Sequence, residues 1–247
     1  AYKALKTEKG YLRLRPSLAW AFVVVLPAGI SLFKYNNYQE QLRPADVVLV
    51  QPNIDPYEKL GGIATAEQLQ IATHLSDSLG VVSTEYFFWP ETALPSYSDE
   101  DRIRSTADFE NLQRFIAKYP NGSLITGIES IKRYPDQRTI SAKEDINTGT
   151  YVDNFNSAMQ VENSSNVQFY HKSKLVPGVE KLPFPTAMAF LKPVFAQLGG
   201  TVSGWGWQDE PAVFYANSGI GVAPVICYES LWGDWIGRSV KDGAQFI

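Results

Sequence analysis

Eighteen consecutive residues, Pro16 to Phe33, carry no charge, and most of them are Val, Leu, Ala, Phe or Ile. Wound as a helix at ~1.5 Å per residue they reach about 27 Å, close to the ~30 Å hydrocarbon core of a bilayer. Pro27 inside the run predicts a kink, which neighbouring helices tolerate. Lys3, Lys6, Lys9, Arg13 and Arg15 precede the run and Lys34 follows it. By the positive-inside rule they put the N-terminal side in the cytoplasm and everything after residue 34 outside. Two other readings stay open. One is a cleaved signal peptide, although Leu32-Phe33-Lys34 is a poor cleavage context. The other is a buried helix of a soluble domain.

The chain therefore divides into a juxtamembrane segment on the cytoplasmic side (1–15), a transmembrane helix (16–34), a polar linker (35–45) and one catalytic-sized domain (46–247). It starts without methionine and stops inside an apolar run, so it reads as truncated at both ends. Within the domain, Asp46–Asn53 predicts a buried first strand, Val81–Trp89 a second and Ser123–Glu129 a third. Amphipathic helices are expected over 66–79 and 106–119. Tyr151–Val161 with Val167–Tyr170 reads as a hairpin, and Val213–Tyr215 with Gly221–Cys227 as another. A helix over 231–242 and a strand from Gln245 complete an α/β pattern of mixed sheets covered by helices.

Composition removes several function classes. The net charge is -4, with no basic stripe, so nucleic acid is not an expected partner. One cysteine excludes an internal disulfide and a Cys-rich metal site. His74 and His171 are the only histidines and lack metal-ligand spacing, so neither a metal nor another cofactor is expected. What remains is a set of three strand ends. Pro90 throws Glu91 off the second strand, beside aromatic residues that would desolvate it, as suits a general base. Lys172 follows Tyr170-His171, where an ammonium can steady a developing oxyanion. Cys227 stops a strand-like run and starts the turn Tyr228-Glu229-Ser230. Each residue has a plainer reading alone: a surface carboxylate, a strand-end lysine, a buried apolar cysteine. Taken together, a base, a cation and a thiol are the minimum for acyl transfer through a thioester.

The order Glu, Lys, Cys resembles the nitrilase, or carbon–nitrogen hydrolase, superfamily. The longer strings Trp89-Pro90-Glu91-Thr92-Ala93, Tyr170-His171-Lys172-Ser173-Lys174-Leu175-Val176-Pro177 and Cys227-Tyr228-Glu229 resemble its apolipoprotein N-acyltransferase family. The resemblance covers residues 46–247 and the apolar segment before them. It implies a nitrilase-like α-β-β-α sandwich on the periplasmic side of the bacterial inner membrane, within a multi-pass protein. It also implies Glu91 as base, Lys172 as oxyanion stabiliser and Cys227 as nucleophile, with Glu180, Glu229 and Tyr228 in support. The implied donor is a phospholipid and the implied acceptor a diacylglyceryl-modified apolipoprotein. One departure stands out: the family's Leu-Val-Pro-Phe-Gly-Glu becomes Leu175-Val176-Pro177-Gly178-Val179-Glu180, so another path is expected for the loop bearing Glu180. The weakly charged stretch from Leu182 to Trp207 is expected to form a lipid-facing lid through Phe184, Met188, Phe190, Phe195, Trp205 and Trp207. Two other functions fit the same residues. One is an amidase that hydrolyses a small amide. The other is a catalytically inactive envelope scaffold.

Overall fold

The structure, a computed structural model, describes residues 10–39, 44–59, 62–181 and 204–247. They fall into two compact units, 1–44 and 45–247. The first is helix α1, Gly10–Asn37. Its stretch Pro16–Asn37 has a mean hydropathy of 1.9 and is long and apolar enough to cross a membrane. Its apolar side chains are exposed, Phe22, Val25 and Phe33 among them. The helix runs three residues into the expected linker before it stops.

In the second unit one sheet has the strand path β1 (Asp46–Leu49), β2 (Thr84–Phe88), β4 (Ser123–Tyr134), β6 (Thr150–Glu162) and β5 (Lys143–Asp145). β1–β2 and β2–β4 are parallel, whereas β4–β6 and β5–β6 are antiparallel. β3 (Leu94–Asp99) pairs with the far half of β4, and β7 (Val167–His171) with the far half of β6. A second sheet holds β8 (Phe214–Tyr215), β9 (Gly221–Val222) and β10 (Ala244–Phe246).

Strand alternation sorts the side chains into two cores. Phe87, Leu124, Ile128, Met159 and Val161 face α3 (Thr65–Leu79) and α4 (Ala107–Ile116), meeting Leu69, Ala72, Phe109, Leu112, Phe115 and Ile116. Tyr86, Ile125, Ala158 and Tyr170 point the other way, toward Phe214, Val222 and Ile226 of the second sheet. A last helix, α5 (Gly233–Lys241), packs against β10. The layers resemble a nitrilase-like sandwich. α4 starts where the sequence permits: Thr106 caps it by accepting from Phe109 N at 3.2 Å, with Asp108 and Glu110 in the first turn. A four-residue helix, α2 (Pro56–Lys59), precedes α3.

Several expectations shift. The second strand is shorter than Val81–Trp89, because Val81 and Val82 lie exposed in the turn that leads into it. The first strand is not fully buried: Leu49 is 74% exposed. β3 and β5 were not expected, since neither Leu94-Pro95-Ser96-Tyr97-Ser98-Asp99 nor Lys143-Glu144-Asp145 shows an apolar alternation. The run to Cys227 is paired only at Gly221–Val222, after which it continues extended and largely buried.

Candidate active site

The turn after β2 carries Glu91. Trp89 N donates to Ile125 O at 2.9 Å, holding the strand end in the sheet. Pro90 O then accepts from Ala93 N and Gly127 N, both at 3.2 Å. Thr92 takes φ +54, a left-handed backbone that turns the chain sharply. The turn lies flat on β4 only because residue 127 has no side chain. A Cβ there would sit 2.4 Å from Thr92 N and 2.6 Å from Glu91 Cα. Gly127→Ala is therefore expected to cost about 3 kcal/mol of stability and on the order of 10²-fold in turnover by displacing Glu91. Thermal melts and initial rates on the variant check both.

Lys172 follows the end of β7 and is 1% exposed. Its backbone N donates to Asn156 O at 2.8 Å, which fixes its height on the sheet. Its Nζ lies 2.8 Å from Glu180 Oε1 and 3.5 Å from Glu91 Oε1. Burial alone would lower the pKa of the Lys172 ammonium. The Glu180 hydrogen bond and the negative charges of Glu91 and Glu180, with a smaller electrostatic contribution from Cys227, outweigh burial and hold the pKa above the ordinary lysine value. The lysine thus stays charged between the Glu91 and Glu180 carboxylates. Glu180 Oε2 also accepts from Val176 N at 2.8 Å. Gly178, at φ +84, absorbs the altered loop path, and Glu180 still reaches the lysine.

Cys227 opens a 3-10 turn, Cys227–Leu231, with φ +50 and an exposed side chain. The plain reading of a buried apolar cysteine is excluded. Glu229 holds the turn in place. It is 0% exposed. Its Oε2 accepts from Ile226 N at 2.9 Å, and its Oε1 accepts from Tyr170 OH and Ser173 N, both at 2.6 Å, and from Lys174 N at 3.2 Å. One carboxylate ties the cysteine turn to the loop that begins with Lys172. Bonding to the loop is thus what Glu229 does here. Its negative charge and hydrogen bond raise the pKa of the Tyr170 phenol, after burial as the larger cause.

Glu91 and Cys227 both line a cleft of about 520 Å³ between the two sheets. Away from these two residues its walls are mostly apolar, formed by Leu49, Phe88, Ile125, Val222 and Phe246, with Thr126 and Ser157 as polar exceptions. Glu91 itself is less covered than expected, with 38% of its side chain exposed. Asn156 and Lys172 hold it. Asn156 was missed in the sequence. Its Nδ2 donates to Glu91 Oε1 at 2.6 Å and sits 3.5 Å from Glu180 Oε1. Its Oδ1 is buried without a partner among the described residues. Lys59 was also missed; its Nζ donates to Glu91 O at 2.7 Å and pins the turn from behind. No motif marks Asn156 or Lys59, because each acts through a backbone meeting that only the fold creates.

His171, next to Lys172, belongs to a separate buried network. Its Nε2 lies 2.6 Å from Glu100 Oε1, which also accepts from Ser130 Oγ at 2.7 Å, and its ring stacks on Phe155. Burial favours the neutral Glu100 carboxyl, but His171, Ser130 and Lys132 together hold its pKa below 4.5. A lowered carboxyl pKa gives stability that is present above pH 4.5 and lost as pH falls through the folded-state value. The stability gap between wild type and Glu100→Gln is thus expected to be full at pH 7 and to narrow below pH 4.5. Urea midpoints across pH read it, and a gap independent of pH would deny the charge any role.

Among the expected lid residues, Phe184, Met188, Phe190 and Phe195 lie outside the described residues. Trp205 and Trp207 are described, both partly exposed, with Lys181 Nζ 3.7 Å above the Trp207 ring. Tyr228 packs edge-on against Trp232.

No protein-family model matches the chain. An apolipoprotein N-acyltransferase of Chlorobaculum tepidum is 30% identical over 208 residues, covering 81% of this chain and 38% of that protein. One from Wigglesworthia glossinidia brevipalpis is 26% identical over 236 residues, covering 94% of this chain and 42% of the relative. The chain thus spans about two fifths of the length of the curated relatives it matches. Among solved structures, an amidase from Nesterenkonia sp. aligns with a TM-score of 0.47 at 13% identity, over 81% of this chain and 62% of that one. A carbon–nitrogen hydrolase superfamily protein from Xanthomonas campestris aligns with a TM-score of 0.42 at 12% identity, over 77% and 53%. The chain is distantly similar to apolipoprotein N-acyltransferases, and its mixed sheets resemble a nitrilase-like sandwich.

Proposed function

We propose that the chain is the catalytic part of an inner-membrane enzyme that moves an acyl chain from a phospholipid to the α-amine of a diacylglyceryl-modified N-terminal cysteine. The observation that carries this reading is the cleft: a largely apolar trough between the sheets is lined by both the exposed Cys227 thiol and the Glu91 carboxylate. An acyl chain matches the trough, and an ester carbonyl matches its polar end. The names of the distant homologues point the same way, as does an apolar helix of membrane length near the N-terminus.

The chemistry runs in two halves. Glu91 takes the proton of Cys227, and the thiolate attacks the ester carbon. Lys172, held charged by Glu180, donates to the oxyanion. The tetrahedral intermediate collapses, the lysophospholipid oxygen leaves with the proton from Glu91, and a thioester remains. The acceptor amine then attacks the thioester, Glu91 removes its proton, and the thiol is regenerated as the amide forms. The domain faces the periplasm in this reading.

A second reading is hydrolysis of a small amide. Glu91, Lys172 and Cys227 would serve water as readily as an amine, and the site's polar end alone does not discriminate between them. Intact mass of the detergent-solubilised chain after exposure to phospholipid separates the two. An acyl mass that a diacylglyceryl peptide amine discharges is the expected result. Absence of that adduct together with ammonia release from small amides would replace the first reading by the second.

A further inference from the structure

Beyond the cysteine turn the surface holds a second, smaller pocket of about 210 Å³, lined by Ser173, Lys174, Lys181, Trp207, Tyr228 and Trp232 among others. Its two cations are held in an unusual way. Lys174 Nζ lies 4.0 Å from the Trp235 ring centroid and 5.3 Å from that of Trp232. Lys181 Nζ lies 3.7 Å from that of Trp207. Among the described residues neither ammonium forms an ion pair with a carboxylate. Nearby acids are engaged elsewhere: Glu180 with Lys172, Glu210 with Arg238, Asp209 with the Trp207 indole N–H, and Glu229 with four donors around the turn. An indole face steadies a cation without neutralising it and leaves its other N–H donors free. Two positive charges thus converge on one concave site with their charge uncancelled, framed by aromatic rings.

We propose that this pocket binds a phosphate ester, carried on the same lipid whose acyl group reaches Cys227. Two ammoniums as compact point charges suit a tetrahedral anion that offers several acceptor oxygens. Placement argues for a lipid source. Tyr228 in the pocket wall is the residue after Cys227, and in a glycerophospholipid only a few bonds separate the ester carbonyl from the phosphorus. A phosphate anchored between Lys174 and Lys181 would hold the ester within reach of the thiol, while Trp207 and Trp232 cover the glycerol carbons. The inference rests on the lipid-donor reading above and adds the recognition of its headgroup.

The test uses the full detergent-solubilised chain with Cys227→Ser, so that binding is read without turnover. Dihexanoyl phosphatidylglycerol, dihexanoylglycerol and inorganic phosphate are titrated while tryptophan emission is followed. Expected is binding of the phosphate-bearing lipid roughly tenfold or more tighter than of its phosphate-free counterpart, falling with added salt. Lys174→Gln with Lys181→Gln should erase that preference, and Lys174→Arg with Lys181→Arg should keep it. The arginine pair and the single Lys181→Gln variant keep the result readable if the double glutamine variant misfolds. An unchanged preference in a folded glutamine variant would overturn the proposal. Inorganic phosphate binding as tightly as the lipid would make this a site for free phosphate and overturn the lipid assignment. A phosphate-dependent preference with no acyl adduct on the unsubstituted chain would leave the pocket standing and remove the acyl-transfer reading.

Discussion

Cys227→Ala is expected to abolish the acyl adduct and to lower turnover on the order of 10⁴-fold or more, with little change in melting temperature. The separation of the two effects follows from the environment. The side chain is exposed and supports no core contact, so its truncation opens no cavity. The φ of +50 costs alanine no more than cysteine, since both carry a Cβ. What is lost is the only thiol in the chain. Neither Glu91 nor Lys172 can supply a covalent intermediate in its place, because the carboxylate is committed to Asn156 and the ammonium to Glu180. Intact-mass spectra and melts on the same sample decide the point. An adduct that persists on the alanine variant would move the nucleophile elsewhere, and a collapse in melting temperature would make the cysteine structural.

The contrast between what the sequence exposed and what it hid has a physical origin. Glu91, Lys172 and Cys227 are legible because each stands where a strand-like run breaks, and a break in apolar patterning survives in one dimension. Glu180 and Glu229 follow at short fixed offsets. Asn156 is different. It sits mid-strand in β6, whose Phe155 and Ala158 neighbours read as ordinary core, and its amide matters only because β6 passes beside the Glu91 turn. The same holds for β3, whose Pro, Ser and Asp mask a strand that exists because β4 is long enough to pair with it after leaving β2. The altered spacing of Gly178 pointed to a displaced Glu180. The left-handed turn at Gly178 absorbs the change, so backbone freedom at one glycine preserves a contact that sequence offset alone placed in doubt.

Lys172→Met is expected to cost on the order of 10²–10³ in turnover and about 3–5 kcal/mol in stability. The two losses have separable causes. The side chain is 1% exposed, and among the described residues its ammonium is the one cation ion-paired with the Glu91 and Glu180 carboxylates. Removing it leaves two carboxylates that share Asn156 Nδ2, with Val176 N still donating to Glu180. Their mutual repulsion is then offset only by Lys59, behind the Glu91 turn. That cost falls on the folded state whatever the enzyme does. A companion change tests the division: Lys172→Met with Glu180→Gln removes one of the two charges, and stability should recover by more than half. Turnover should not recover, because the donor aimed at the oxyanion is still missing. A double-mutant cycle on melting free energy and on kcat/KM reads both quantities from the same proteins. If turnover returned together with stability, Lys172 would be a counter-ion that holds the glutamates in place, and the oxyanion would need a different donor.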